Sequence, residues 1–553
     1  MKLKLLYLPR FCRDFEILEK SKSDEPVGGI HLPPIGIATL TAFLKSHDVE
    51  VEQDDLMIKT FYYNLTHQKK IDLRMFNDEN RVNNFIKGDY DPTLETEGEK
   101  ILKLTKCRGV DVFGFSLYEA INPSVAGIAV VLGKILKEKY GTINLFGGGL
   151  PEEVVSYLLK TKFFDCSITG LGEKKLLNFC KMLEIGVDIK KIPGIIHVDE
   201  SGRLVGNDFS EQPGGEYGVY GVSGDVTMDT FVKPCFDGLP LNLYKPNICG
   251  KINDEYHEYR ILVLPYYFIR GCPNSCAFCS LSVSSKWVGK KPEEVAIDIK
   301  ELSEKYKTKY FFFLNSEINP TYEYAERIAE GLIKNDVNIM WSDCANFWPM
   351  DENLLEKLKE AGATRLVFGI ESASPKILKY VEKPLPSVAH AEKILRISHK
   401  LGIWNVIDLI CGFPYETEKD VHLTIKFLEK NRKCIQEATI SKFRPEGRMR
   451  ENSEKYKINI LKSDSKVSRP GHIIPFNEIH GLTWERKMKQ INNHHDKIKK
   501  VIDSTVPSRP HPIPRIPKMK IEELSFMHFI MWWAEEDKGW DKKRKVFNPG
   551  WAL

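Results

Sequence analysis

Twice along this chain, apolar runs of four to eight residues alternate with amphipathic helical segments, and this alternation restricts the fold more than any other feature. The first series reads KLKLLYLP, GIATLTAFLKSH, DVEVEQDDL, GVDVFGFSLY, SVAGIAVVLGKILKEKYG, INLFGGG, PEEVVSYLLKTK, CSITG and GEKKLLNFCKML. Apolar strands separated by helices suit a parallel sheet covered on both faces, so a doubly wound, Rossmann-like α/β domain is expected over residues 1–190. Polar residues interrupt the pattern at 60–100, where an insertion or a long loop is expected.

Residues 191–258 are rich in Gly, Pro and Asp, as in SEQPGGEYGVYGVSGD, and read as a linker with one hairpin. Alternation returns at 259 with YRILVLPYYFIRG, PEEVAIDIKELSEKY, KYFFFLNSE, TYEYAERIAEGLIKND, NIMWSDCA, ENLLEKLKEAG, TRLVFGIES and WNVIDLICGFP. Successive βα units up to about 445 imply a second parallel structure, either an open sheet or a full or partial barrel. The strand signal fades over 446–553, where the proline-rich SRPHPIPRIPK and the aromatic IEELSFMHFIMWWAEEDKGW predict a small, mostly helical C-terminal domain. Such an appended segment is expected to cover the barrel mouth or to dock a peptide.

At 553 residues the chain has room for roughly two to four domains. Its 42% hydrophobic and 28% charged content is that of a globular protein, and no apolar run is long enough to span a bilayer. The opening MKLKLLYLPRF lacks a signal-peptide pattern, so a cytoplasmic location is expected. With 80 Lys+Arg against 76 Asp+Glu, the formal charge of +4 gives no support for a nucleic-acid partner. Twelve scattered cysteines fit reduced thiols better than a disulfide framework.

Three of those cysteines crowd into one loop directly after a strand: Cys272, Cys276 and Cys279 in CPNSCAFC. Thiolates so grouped select zinc, copper(I) or an iron–sulfur cluster. A closed zinc site takes four ligands, yet Cys249 lies 23 residues before the triplet and His257 fifteen. Three thiolates on a four-iron cubane leave one iron open to a substrate or cofactor.

CPNSCAFC, with Phe278 as its aromatic, resembles the CxxxCxΦC signature of the radical S-adenosylmethionine (SAM) superfamily. The resemblance continues through YFFFLNSEIN, ENLLEKLKEAGATRLVFGIES and the Gly-x-Pro-x-Glu-Thr turn of LICGFPYETEKD. It implies a partial (β/α)6 barrel over 259–445 and a [4Fe-4S] cluster on the three cysteines, whose unique iron binds SAM. One electron from the cluster would then cleave SAM to a 5′-deoxyadenosyl radical, with a reductase or a flavodoxin- or ferredoxin-type protein as electron donor. SAM contacts are implied for Phe278, Asn315, Ser316, Glu317, Glu371 and Ser372. Arg270 and Lys383 match positions that recur in the family. Cys344 and Cys411, at strand ends, are candidate hydrogen donors to a substrate radical, with burial as apolar thiols the alternative.

The first domain resembles the cobalamin-binding domain fused ahead of many radical SAM enzymes, through DVFGFSLYEAINPSVAGIAVVL, INLFGGGLP and ITGLGEKKLLNF. This implies Ser116, Leu117 and Tyr118 beneath the corrin, Gly147, Gly148 and Gly149 near the nucleotide tail, and Gly170, Gly172 and Glu173 at the next strand end. No Asp-x-His-x-x-Gly follows the first strand, where PRFCRDFEILEK stands instead, so a cobalt-ligating histidine is not expected there. The resembling enzymes of class B methylate unactivated carbon on a small molecule or peptide. The alternative is radical epimerisation, cyclisation or rearrangement without methyl transfer.

Overall fold

The computed structural model describes residues 1–10, 32–89, 91–117, 123–150, 152–206, 230–244, 247–252, 255–279, 281, 286–461, 474–505, 526, 540–541 and 546–547. Its first sheet is built from β1 (Leu3–Tyr7), β2 (Val51–Asp55), β3 (Val112–Ser116), β4 (Ile143–Gly148), β5 (Cys166–Thr169), β6 (Ile196–Val198) and β7 (Leu204–Gly206). The spatial order is β2-β1-β3-β4-β5-β6-β7, and the first five strands are parallel. This is a doubly wound arrangement in which the direction of winding reverses between β1 and β3, and ligands of such sheets collect beyond the strand ends at that reversal.

The sheet runs past the expected boundary at 190, because β6 adds antiparallel to β5 and turns back as β7. Three-residue strands with weak alternation carry too little pattern to be read from sequence. The interruption at 60–100 is helical rather than a loop: Leu56–Thr66, Glu79–Ile86 and Pro92–Leu102 are helices. Asp55, Asp78 and Asp91 cap their first turns by accepting backbone N–H bonds. In the expected linker, β8 (Asn247–Ile252) and β9 (Glu255–Arg260) form a second hairpin.

The second sheet comprises β10 (Val263–Tyr266), β13 (Tyr310–Phe313), β14 (Met340–Ala345), β15 (Ala363–Glu371), β16 (Trp404–Cys411) and β17 (Glu437–Lys442), separated from the rest by a small antiparallel pair, β11 (Ile269–Gly271) and β12 (Trp287–Gly289). All six neighbours are parallel and stand in chain order, β10-β13-β14-β15-β16-β17. Right-handed crossovers that always step the same way put every helix on one face, leaving the other concave. The structure is therefore an open, six-stranded partial barrel. Leu366, Phe368, Ile407 and Leu409 pack outward into the core beneath the helices. Their alternates line the concave lumen.

Beyond the barrel, β18 (Ile458–Ile460) pairs with β19 (Phe476–Glu478), and the 22-residue helix Trp484–Thr505 lies against β16 and β17. Buried Lys487 ties this helix down through Glu478, at 2.8 Å, and the Phe413 carbonyl, at 2.6 Å. The proline-rich segment and nearly all of the aromatic segment fall outside the described residues. Phe526 and Trp540 are the exceptions: Phe526 packs on Tyr310 at the N-terminal end of β13, and the Trp540 backbone pairs with Phe547. No helix among the described residues is long and apolar enough to cross a membrane.

Gly412, in the LICGFP turn, combines a φ of +89° with a position where an added Cβ would lie 2.4 Å from Ile491 of the long helix. Gly412→Ala is expected to cost about 2 kcal/mol through strain and overpacking. Hydrogen exchange should then accelerate in helix Trp484–Thr505 while the first sheet stays protected.

Candidate functional site

A cavity of about 410 Å³ lies at the carboxyl ends of β1, β3, β4 and β5, where the winding reverses. Six of the glycines and polar residues expected around a cofactor line it with Gly172: Ser116, Gly147, Gly148, Gly149, Gly170 and Glu173. At Gly147 a Cβ would sit 2.8 Å from the Ile168 carbonyl, so only glycine lets β4 end as it does. Leu117 departs from expectation. It is fully buried behind the sheet, in the core that includes Phe113 and Phe146, with its N–H on the Gly147 carbonyl. Tyr118 lies outside the described residues.

The far wall of the cavity belongs to the barrel: Pro265, Tyr267, Ile269, Arg270 and Leu314. Arg270 spans the junction. Its guanidinium meets Glu173 at 2.5 Å, donates to the Tyr267 hydroxyl, and lies over the Phe231 and Tyr267 rings. Glu173 opens helix Glu173–Glu184, whose N-terminus also favours a carboxylate. Both side chains are about nine-tenths buried or more. A buried cation two residues before Cys272 thus joins the first domain to the thiol loop.

In that loop Cys272 and Cys276 are buried and Cys279 half-buried. Burial pushes the Cys276 thiol up to about 11 and raises Cys272 and Cys279 as well. Left to themselves these thiols hold their protons; a bound metal centre is the counter-charge that would make them thiolates. Among the described residues, no three His, Cys, Asp or Glu side chains converge as ligands of a single ion do. A cubane spreads its thiolates over separate corners, so this set fits an iron–sulfur cluster better than a tetrahedral zinc.

The residues expected to contact SAM surround the loop but divide by role. Asn315 is spent on the backbone: its Oδ1 accepts from Phe268 and Ile269 N–H at 3.0 Å each, and its Nδ2 donates to Asp343 at 2.7 Å. Ser316 donates to the Gly271 carbonyl. Glu317 approaches the Cys272 thiol at 3.1 Å with one oxygen, while the other is buried without a partner; burial pushes this carboxyl up to about 7.

Glu371 takes an unusual φ of +63° at a register shift between β15 and β16, which turns it back onto Lys383 at 3.1 Å. Burial works against the Lys383 ammonium, but Glu371 and the nearby thiols outweigh it. Glu371 caps no helix; Ser374 does, and Ser372 accepts the Ser374 N–H. Phe278 packs edge-on against Phe413. Of the candidate hydrogen donors, Cys344 is open to the lumen, whereas Cys411 is fully buried in the core under the helices and faces away from it.

Sequence reading missed the lumen side chains Arg365, Asp408 and Glu437. Period-two alternation in β17 (EATISK) and single charges inside the apolar runs of β15 and β16 were the signals that would have marked them.

Residues 266–428 match the profile of the Radical SAM superfamily. The barrel is a radical SAM domain. An uncharacterized methyltransferase of Pyrococcus horikoshii is 28% identical over 271 residues, covering 48% of this chain and 53% of its own, so the chain spans about half the length of that relative. The cytidylyl-2-hydroxyethylphosphonate methyltransferase of Streptomyces wedmorensis is 21% identical over 406 residues, 69% of each chain. The fold matches that of TsrM from Kitasatospora setae, a radical SAM methyltransferase solved with cobalamin and a [4Fe-4S] cluster, with a TM-score of 0.56 at 16% identity over 84% of this chain and 82% of that one.

Arg270→Met leaves the Glu173 carboxylate buried and unpaired, and the expected loss is about 3–5 kcal/mol. The Arg270→Met/Glu173→Gln double variant should recover most of it in a denaturant titration. Equal losses in both would mean that the pair is not coupled.

Proposed function

We propose that this protein is a cobalamin-dependent radical SAM methyltransferase of class B, acting on an unactivated carbon. The observation that carries this reading is the shared wall: the cavity of the first domain is closed by Arg270 and its barrel neighbours, two residues from the first thiol of the loop. Cys272, Cys276 and Cys279 would hold the [4Fe-4S] cluster. Glu317, with its orphan oxygen, and Glu371 would accept from the amino or ribose groups of SAM. The glycine edge at 147–149 and 170–172, with Ser116, would seat a corrin. No histidine lines that cavity among the described residues, so a corrin bound there would take no imidazole from them.

Bound together, the cluster supplies an electron for SAM cleavage and cobalamin supplies a transferable methyl group. The chain's own part is to hold both in adjoining chambers and keep water from the radical. The electron donor is a reductase or a flavodoxin- or ferredoxin-type protein, and the location is cytoplasmic. A second reading, radical epimerisation or cyclisation without methyl transfer, is favoured by Cys344, whose thiol stands open in the lumen.

Anaerobic reconstitution tests the proposal. Iron and sulfide at a four-iron stoichiometry, retained cobalt, and label from [methyl-2H3]SAM in the extracted corrin are expected, together with reductive SAM cleavage that Cys272→Ala abolishes. A cluster that cleaves SAM in protein unable to retain corrin would overturn methyl transfer and leave the second reading. Zinc in place of iron, with SAM intact, would overturn both.

A further inference from the structure

The lumen of the barrel carries a polar group distinct from the side chains assigned above to the cluster, to SAM and to the corrin. Its members come from neighbouring strands: Cys344 on β14, Arg365 on β15, Asp408 on β16, and Glu437 and Thr439 on β17. The Arg365 guanidinium crosses the concave face to Glu437, 3.1 Å away, and reaches Ser342 at 3.3 Å. Arg365 is more than nine-tenths buried, yet its Nε–H has no partner. Asp408 accepts a 2.5 Å hydrogen bond from Thr439, and among the described residues no cation stands within ion-pair distance of it. Burial raises the Asp408 carboxyl despite that bond.

Three carboxylates therefore share two cations: Lys383 is paired with Glu371 and Arg365 with Glu437, and both pull on Asp408 only from further off. The surplus negative charge sits on Asp408, in a half-buried position where an uncompensated carboxylate is costly. A purely structural network would close on itself. This one leaves a carboxylate without an ion pair of its own and a buried donor without an acceptor, beside a lumen open enough to expose Cys344.

We propose that this stretch of lumen is the substrate's head-group site and takes an amine-bearing molecule, with its ammonium on Asp408 and a neighbouring hydrogen-bond acceptor on the Arg365 Nε–H. The assignment rests on the radical reading for the identity of the substrate chamber, but its readout is a thiol modification rate and not turnover of any cofactor.

Cys344 reports the local field. On anaerobically reconstituted full-length protein, the thiol would be modified with 2-aminoethyl methanethiosulfonate, a cation, or the 2-sulfonatoethyl reagent, an anion. The thiol loses its proton to solvent and attacks the sulfenyl sulfur; a disulfide forms and methanesulfinate leaves. Rates are read at Cys344 by peptide mass spectrometry and normalised to each reagent's rate with free 2-mercaptoethanol; half-buried Cys434, which lies among Arg396, Lys400 and Lys433, serves only as a control for folding.

The cationic reagent should be favoured about tenfold or more, as one unscreened charge at close range dictates. Asp408→Asn should cut that preference several-fold while the Cys434 rates hold. A ratio of one, or a preference for the anion, overturns the proposal, as does a preference that survives Asp408→Asn. Should that variant misfold, Asp408→Ser, which keeps an acceptor for the Thr439 hydroxyl, is read in the same way. Loss of the radical reading would show instead in the iron and cobalt content, which this ratio does not touch.

Discussion

The buried pair of Arg270 and Glu173 is the contact on which the rest of the arrangement turns. Taking two charges out of water is expensive, and their mutual attraction repays it only when geometry and added hydrogen bonds are good. Here Tyr267, Thr230 and two aromatic faces complete the shell around the guanidinium, and a helix N-terminus supports the carboxylate. Such a pair contributes little net stability but makes any other docking of the two domains costly. It fixes the first-domain cavity beside the thiol loop.

The barrel side repeats the logic. Asn315 clamps the loop entrance with two accepted backbone bonds, and Lys383 stands between Glu371 and the thiols. These side chains hold the loop in place, leaving Glu317's second oxygen as the free acceptor. Helix Trp484–Thr505, clamped through Lys487 and through the His494–Glu416 contact at 2.8 Å, braces the GFPYET turn from outside. The lumen is thereby walled by structure on one face and kept chemically unsatisfied on the other.

Much of this was legible in sequence because its cause is local. Both series of alternating strands and helices fold as read, since period and length decide the element. The thiol loop was legible because three soft ligands in eight residues have few other uses. What escaped depends on partners far along the chain. Asn315 and Ser316 sit where SAM contacts were expected, but their hydrogen bonds go to residues some 45 positions earlier. Leu117 turns into the core while Ser116 lines the cavity, because adjacent residues of an extended chain face opposite sides. Cys344 and Cys411 looked alike as strand-end thiols, yet alternation sends one inward and the other under the helices. The charge imbalance at Asp408 became visible only once β15, β16 and β17 were laid side by side.

The central claim is that two chambers, one on each domain, form a single site. Electron paramagnetic resonance on protein holding both cob(II)alamin and a reduced cluster tests it most directly. Adjoining chambers predict that each signal is broadened or split by the other spin. A spectrum equal to the sum of the two isolated centres would contradict the account.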